Sequence, residues 1–295
     1  SQSAAARARQ VAAAPSPTPP PPATAQTAAP AARAKSGVSA ERMARVGAML
    51  QAYVDQGRIA GAVVDVRQDG RDVYSEAFGW RDKEARAPMR EDTIFRIASQ
   101  TKALTSVAVM MLMEEGKLLL DDPVGKHLPE WAKTTVAVPK AGGGYDVVPV
   151  KRPITVRDLL THTAGISYGQ GPAEQAWRDA GITGWYFADR REPVAAIVGR
   201  MAALPMAAQP GERFVYGYNT DILGVLVEKL SGKTLGAFLD ERLIRPLGMK
   251  DTSFFLPTAK ADRLAVVYSA DGAGMKRAPD PGAWQGSAHV GQGHY

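Results

Sequence analysis

The chain contains no cysteine in its 295 residues. This absence excludes a disulfide-stapled scaffold, a thiolate-ligated zinc or iron–sulfur site, and a cysteine nucleophile. The chain also lacks an apolar run near the roughly 20 residues that cross a bilayer, so we expect no membrane span. It has only four histidines, and their spacing does not indicate a metal site. We therefore expect a protein that needs no metal or other cofactor.

Most of the net charge of +6 lies in the first part of the chain. Residues 1–36 carry Arg7, Arg9, Arg33 and Lys35 and no acidic residue, so they contribute most of the excess. In the remainder, basic and acidic residues are nearly balanced. A nearly neutral body lacks the basic footprint of nucleic-acid binding, so we expect no nucleic-acid partner.

Residues 1–36 differ in composition from the rest. They are rich in Ala, Pro, Ser and Thr and show no hydrophobic period, which predicts a disordered Ala/Pro-rich tail before one domain over 37–295. The first residue is Ser1 rather than Met, as after removal of a signal peptide, although an artificial start would look the same. Ala/Pro tethers are common in exported bacterial proteins, so we expect a periplasmic or secreted protein.

The pattern after residue 37 predicts an α+β fold. Ser39 suits the N-cap of a helix with a periodic apolar face over 43–54, and residues 62–66 and 73–79 read as strands joined by a tight turn at Asp69-Gly70. Residues 103–113 carry no charge and are apolar on all sides, which predicts a helix buried between layers. Further helices are predicted at 156–161, 191–203, 221–230 and 235–243. Residues 167–188, rich in Gly and aromatics, are predicted to be irregular, either roofing a pocket or simply packing.

The strongest chemical candidate is the pair Ser99 and Lys102, where the buried helix begins. A spacing of three places both side chains on one helical face, so the amine can reach the hydroxyl. Burial should lower the pKa of Lys102 and let a neutral amine accept the serine proton. A Ser-x-x-Lys pattern arises about once by chance in a chain of this length, so the spacing alone leaves a structural role open.

Tyr216 is the second candidate. It follows a Pro-Gly turn and precedes a predicted helix, so its hydroxyl could face a cleft and pass a proton from nucleophile to leaving group. A half-buried tyrosine with its hydroxyl in water is the plainer interpretation. His162 is interpreted as a packing and hydrogen-bonding residue rather than a base.

Five ordered blocks resemble the serine beta-lactamase-like family. That family includes class C beta-lactamases, D-alanyl-D-alanine carboxypeptidases and family VIII carboxylesterases. The blocks are FRIASQTK (95–102), EGKL with LDDP (115–118 and 120–123), DLLTHTAG (158–165), QPGERFVY (209–216) and RPLGMKDT (245–252). The resemblance implies an antiparallel sheet flanked by helices plus a mostly helical region, with the site between them. It also implies an acyl-enzyme on Ser99, with general acid and base work by Lys102 and Tyr216.

The chain departs from the family pattern in its second motif. The family often has Tyr-x-Asn, but here the third position is Tyr218 and the asparagine is Asn219. Both remain candidate substrate-binding residues. Because that asparagine helps hold the substrate amide in beta-lactamases and is often absent from family VIII esterases, its displacement favours ester cleavage.

The third motif of the family, which lines the site from a late strand, is not evident. Lys233-Thr234 is followed by Leu235, and the short matches at 284–286 and 289–291 lie in a Gly-rich stretch too close to Tyr216. We expect the C-terminal strands to be missing from this chain, with a second polypeptide fragment completing the sheet, unless the chain is truncated.

The sequence therefore predicts a serine hydrolase that cleaves carboxylic esters or beta-lactam-type amides through a Ser99 acyl-enzyme. Its substrate would be a small ester, beta-lactam or D-Ala-D-Ala-like molecule. The alternative is a non-catalytic relative that binds penicillins or peptidoglycan stems without turnover.

Overall fold

A computed structural model of the chain describes residues 37–184, 192–272 and 274–278. The predicted tail and the two short matches to a third motif, at 284–286 and 289–291, lie outside these residues. The helices are, in chain order, α1 (Ala40–Asp55), α2 (Thr101–Glu114), α3 (Val124–His127), α4 (Val156–Leu160), α5 (Glu174–Asp179), α6 (Val194–Met201), α7 (Asn219–Ser231) and α8 (Leu235–Leu239). Short 3-10 turns occur at Ala98–Gln100, Pro129–Ala132 and Thr258–Arg263, and a π turn, Asp240–Ile244, follows α8.

The strands form three antiparallel groups. The first is a three-stranded sheet in the order β1-β2-β3, and the other two are the hairpins β4–β5 and β6–β7. The strands are β1 (Gly61–Gln68), β2 (Arg71–Asp82), β3 (Ala87–Pro88), β4 (Thr135–Pro139), β5 (Tyr145–Pro149), β6 (Tyr268–Asp271) and β7 (Gly274–Arg277). Helices and antiparallel strands together confirm the predicted α+β class.

The predicted helix and hairpin at the start of the domain are confirmed. The Ser39 side chain accepts a hydrogen bond from the backbone of Arg42 and so caps α1. The turn between β1 and β2 has positive φ at Asp69 and Gly70, 51° and 74°, which matches the twist of a two-residue hairpin. α1 packs on β2 at Gly47, where a Cβ would lie 2.5 Å from the Tyr74 hydroxyl.

The main core lies among the helices. α7 is buried along most of its length, with Ile222, Leu223 and Leu226 fully enclosed, and it packs on α2, α4, α6 and α8. Each fully buried leucine or isoleucine contributes about 1.5–3 kcal/mol relative to its exposed state. This helical core carries α2 and α7, which hold the candidate site.

The expectation that α2 is buried on every side is wrong. Its inner face is fully buried, with Ala108, Val109 and Leu112 at 0% exposure, but Val107 and Met110 on the opposite face are 41% and 36% exposed. Among the described elements α2 packs mainly on α7 and α8, so the outer face meets solvent there.

Several elements were not predicted, among them a hairpin and a short helix. β4 and β5 form a hairpin around a Gly-rich turn, and α5 lies inside the stretch that the sequence marked as irregular. Trp177 on α5 is buried, and its indole N–H donates to the Pro205 carbonyl at 2.9 Å. The described part of 167–188 therefore packs into the core.

Neither a candidate membrane span nor a candidate metal cluster occurs among the described residues. No helix there is both long enough and apolar enough to cross a bilayer. Nor do three or more His, Cys, Asp or Glu residues cluster there in a way that could hold a metal ion.

Candidate active site

Ser99 lies in the 3-10 turn that leads into α2 and is exposed. The preceding residue, Ala98, has a φ of 43°. A residue with a Cβ in this left-handed region costs about 1–3 kcal/mol, a strain that is characteristic of functional turns. The turn places the Ser99 hydroxyl at the surface, beside the N-terminus of a 14-residue helix whose partial positive charge favours an oxyanion.

Lys102 lies in the first turn of α2, three residues after Ser99. Its Nζ donates a hydrogen bond to the Ser99 Oγ at 3.2 Å. The side chain is half-buried. The predicted approach of amine and hydroxyl is therefore present in the structure.

Tyr216 reaches the same serine oxygen from the loop before α7. Its hydroxyl donates to the Ser99 Oγ at 2.8 Å, and the Lys102 Nζ lies 4.8 Å from the centre of its ring. Tyr216 remains 41% exposed as a residue. Ser99, Lys102 and Tyr216 thus form one hydrogen-bonded group open on one side.

The sequence predicted a lowered pKa and a neutral amine at Lys102, but the surroundings of Lys102 shift its pKa in the opposite direction. Burial lowers the pKa of Lys102, but hydrogen bonding to Tyr216 and Tyr168, with the charge that these phenols can carry, raises it more. The net pKa of Lys102 lies above its ordinary value, so the amine is a cation at neutral pH. This direction favours a charged ammonium beside the Ser99 Oγ.

The pKa of Tyr216 moves the opposite way. Burial raises the pKa of the phenol, but hydrogen bonding to Lys102 and Ser99 and the Lys102 charge lower it more. The net pKa lies below the ordinary value. A lowered pKa is the direction that favours proton acceptance by a group in contact with the Ser99 Oγ.

The Tyr216 loop is held against the chain that follows α4. Gly217 has no side chain there because a Cβ would collide with the backbone of Ile166 and Ser167. The His162 ring lies 4.7 Å from the Tyr216 ring, and its backbone carbonyl accepts from Val215 at 2.7 Å. His162 therefore packs and hydrogen-bonds as predicted.

The two predicted substrate-binding residues lie behind the site. Tyr218 is 1% exposed and donates its hydroxyl to the Gly184 carbonyl at 2.7 Å. Asn219 is fully buried, and its amide nitrogen lies 2.9 Å from the His162 Nδ1 and 3.2 Å from two backbone carbonyl oxygens. Both side chains are therefore buried behind the site, and neither lines the open face near Ser99 where a substrate would bind.

Two titratable neighbours of the site, Tyr168 and Asp221, were not predicted from the sequence. Tyr168 sits edge-on to Tyr216, with ring centres 5.7 Å apart, and its phenol interacts with Lys102. Asp221, in the first turn of α7, is buried near the Lys102 charge; burial raises its pKa to about 7, although Lys102 opposes this. The sequence signal for Tyr168 was its position, three residues after the His162–Gly165 segment.

The chain is similar to a known protein family and to several known proteins. Residues 46–292 match the family model described as Beta-lactamase. An uncharacterized protein of Mycobacterium tuberculosis is 37% identical over 231 residues, which are 76% of this chain and 55% of the relative. Esterase EstB of Burkholderia gladioli is 35% identical over 233 residues, which are 78% of this chain and 55% of EstB.

A solved structure shows the same fold. EstCE1, described as a hydrolase with promiscuous acyltransferase activity, superposes with a TM-score of 0.70 at 32% identity, over 81% of this chain and 59% of EstCE1. The chain spans about half the length of the curated relatives that it matches.

Proposed function

The chain belongs to the Beta-lactamase family, and from that premise we propose that the protein is a serine hydrolase that cleaves carboxylic esters through a covalent Ser99 acyl-enzyme. The observation that carries the proposal is the meeting of three groups at one atom. The Ser99 Oγ is within hydrogen-bonding distance of both the Tyr216 hydroxyl, at 2.8 Å, and the Lys102 Nζ, at 3.2 Å. A nucleophile held this way beside a base is the arrangement that acyl transfer requires.

The first half-reaction forms the acyl-enzyme. Tyr216, as a phenolate beside the Lys102 ammonium, takes the proton of the Ser99 hydroxyl while the Oγ attacks the ester carbonyl carbon. The carbonyl oxygen takes up the negative charge near the N-terminus of α2. The Tyr216 phenol then gives its proton to the leaving alkoxide, the C–O bond of the ester breaks, and the alcohol departs.

The second half-reaction releases the acid. The Tyr216 phenolate takes a proton from a water molecule, whose oxygen attacks the acyl carbon. The bond between that carbon and the Ser99 Oγ breaks, and the Tyr216 phenol returns the proton to the serine oxygen. Throughout both steps Lys102 stays charged, because its pKa lies above the ordinary value through its contacts with the phenols, which outweigh burial.

The second motif supports esters over beta-lactam amides. The third position of the motif is Tyr218, which is buried, and the amide nitrogen of Asn219 already contacts His162 and two carbonyl oxygens. The Asn219 Oδ1 has no hydrogen-bond partner among the described residues, but the whole side chain is buried, so neither residue exposes an amide that could hold a substrate amide. The similarity to EstB, which is described as an esterase, supports the same preference.

A labelling experiment on the full-length protein tests the proposal. A fluorophosphonate probe should label the wild type, which should also hydrolyse p-nitrophenyl butyrate faster than a chromogenic cephalosporin. Ser99→Ala should abolish both label and turnover, while the matched control Ser106→Ala, about two turns further along the chain in α2, should keep both. Label that persists in Ser99→Ala would overturn the assignment.

A burst of product without steady turnover would instead favour the alternative of a non-catalytic penicillin or peptidoglycan-stem binder. Location outside the cytoplasm, and a second polypeptide that completes the sheet, remain predictions from the sequence. The tail composition supports the first, and the unplaced third motif supports the second.

A further inference from the structure

The side chain of Asn219, the first residue of α7, connects the two segments that surround Tyr216. Its amide nitrogen lies 3.2 Å from the carbonyl oxygen of Val215, in the loop that carries Tyr216. The same nitrogen lies 3.2 Å from the Ile166 carbonyl oxygen and 2.9 Å from the His162 Nδ1, in the chain that follows α4. Asn219 is fully buried, so bulk water does not compete for these contacts. One amide group therefore ties the Tyr216 loop to the neighbouring segment.

The contacts of this amide determine which His162 nitrogen carries the proton. A backbone carbonyl can only accept a hydrogen bond, so the amide edge that faces Val215 and Ile166 is the N–H₂ edge of Asn219. The His162 Nδ1 faces the same edge and therefore accepts, which leaves the proton of the neutral ring on Nε2. A proton on Nδ1 would point one donor at another.

The folded chain accepts two unfavourable features at this contact. The Asn219 Oδ1 is buried and has no hydrogen-bond partner among the described residues. Turning the amide over would not help, because Oδ1 would then face two carbonyl oxygens. His162 has a φ of 55°, in the left-handed region that residues with a Cβ rarely adopt. Such features concentrate at functional sites, which points to a role for this contact beyond packing.

His162 bears directly on Tyr216. Their ring centres are 4.7 Å apart, with the ring planes tilted by 31°. The His162 backbone carbonyl also accepts from the backbone N–H of Val215 at 2.7 Å, one residue before Tyr216. A His162 ring held in one orientation therefore restricts where the Tyr216 phenol can lie, and that phenol contacts the Ser99 Oγ at 2.8 Å.

We infer that Asn219 is a positioning residue of the proposed esterase site: it holds His162 as the neutral Nε2–H tautomer against the Tyr216 ring, and so keeps the Tyr216 hydroxyl beside the nucleophile. The inference rests on the proposed function, in which Tyr216 is the base. The surroundings of His162 agree with a neutral ring, since burial and the Lys102 charge lower its pKa.

Nitrogen-15 NMR of the full-length protein, labelled on histidine, tests the tautomer, because protonated and unprotonated ring nitrogens have well-separated shifts. The His162 signals are those that disappear in His162→Asn, since asparagine also tolerates a left-handed φ. In the wild type at pH 7, Nδ1 should be unprotonated and Nε2 protonated. In Asn219→Asp an oxygen replaces the amide nitrogen, so Nδ1 should become protonated.

Kinetics with p-nitrophenyl butyrate test the positioning role. In Asn219→Asp kcat should fall by about 10²-fold, the effect of a displacement near 1 Å at a reacting group, with KM little changed because Asn219 does not line the open face. His162→Asn should show the same pattern. The matched control is Gln209→Glu, at another buried amide. Its oxygen accepts from the Lys151 backbone at 2.8 Å, a bond that a carboxylate keeps, so kcat should be unchanged.

The outcomes separate the two proposals. If the wild type shows no Ser99-dependent label, the proposed function fails whatever the spectrum shows. If the wild type labels and turns over, a protonated Nδ1 in its spectrum overturns the inference alone. An unchanged kcat in Asn219→Asp, a rise in KM without a fall in kcat, or an equal loss in Gln209→Glu also overturns it. Should Asn219→Asp not fold, the wild-type spectrum and the kcat of His162→Asn decide.

Discussion

The Tyr216 hydroxyl donates a 2.8 Å hydrogen bond to the Ser99 Oγ, although 117 residues separate the two in the sequence. Ser99 precedes α2 and Tyr216 precedes α7, and these two helices pack on each other in the core. The nucleophile and the proposed base therefore meet because two helix starts are held side by side. A substitution that shifts the first turn of α2 or of α7 should therefore lower catalytic activity more than it lowers the free energy of unfolding.

Removing the Lys102 charge should change the pH profile in a defined direction. Lys102→Met takes away the ammonium that lowers the pKa of Tyr216, so that pKa rises and less phenolate is present at neutral pH. We expect kcat/KM at pH 7 to fall by about 10²–10⁴-fold, the usual contribution of a general base, with partial recovery as the pH rises. Lys117→Met, at an exposed ion pair with Glu115, is the matched control. A loss that does not diminish at high pH would contradict this role.

Gly217 should prove intolerant of a side chain. In Gly217→Ala the new Cβ meets the backbone of Ile166 and Ser167, and backbone atoms cannot move aside as a flexible side chain can. The Tyr216 loop must shift instead, and a displacement near 1 Å at a reacting group costs about 10²-fold in rate. Steady-state kinetics should show this loss, whereas Gly142→Ala, with open space around it, should behave as wild type. Equal activity of the two variants would show that the loop adjusts freely.

Asp158 should stabilise the turn that leads to the site. Its carboxylate accepts two hydrogen bonds from Arg152 at 2.6 and 2.8 Å and caps α4 through Thr155. Asp158→Asn should lower the free energy of unfolding by about 1.5–3 kcal/mol, as for hydrogen bonds to a charged group. Asp121→Asn, at an exposed pair with Arg157, should cost no more than about 1 kcal/mol. Urea unfolding at pH 7 measures both.

The Asp158 carboxylate also makes the free energy of unfolding depend on pH in the acid range. Burial raises the pKa of Asp158, but the hydrogen bonds from Arg152 and Thr155 lower it more, so its folded pKa lies below the ordinary value. Its stabilisation is therefore present at neutral pH and lost as the pH falls through that folded pKa. The difference between wild type and Asp158→Asn should shrink in acid. A constant difference would assign the effect to packing alone.

Asp221 should make the free energy of unfolding change with pH in the direction opposite to that of Asp158. Burial raises its folded pKa to about 7, from an ordinary value of 3.8, against the opposing Lys102 charge. The folded protein therefore holds a proton that the unfolded chain releases, and stability falls as the pH rises from about 4 through about 7. Between pH 5 and pH 8 the wild type should lose more stability than Asp221→Asn in urea unfolding. Parallel changes in both proteins would contradict a buried, proton-holding Asp221.

The local parts of the site were readable from the sequence. Ser99 and Lys102 are three residues apart at a helix start, so helical geometry alone brings the amine to the hydroxyl. Tyr216 could be named as a candidate because a turn and a helix flank it. The α+β class and the first helix and hairpin followed from N-cap, turn and periodicity signals of the same local kind.

The parts that failed depend on distant contacts. The pKa of Lys102 was expected to fall because the sequence of one helix indicates only its burial. The two phenols that raise this pKa, Tyr168 and Tyr216, come from loops more than 60 residues away in the sequence. Tyr218 and Asn219 lie next to Tyr216 in sequence, yet the start of α7 turns their side chains into the core. Exposure of Val107 and Met110 likewise depends on what packs against α2 and not on its composition.

The left-handed Ala98 bears on how readily Ser99 could be replaced during evolution. A turn that forces a residue with a Cβ to a φ of 43° fixes the direction of the next side chain, whatever that side chain is. Any residue placed at position 99 would start from the same Cβ direction. The backbone thus sets where a nucleophile is presented, independently of the groups that activate it.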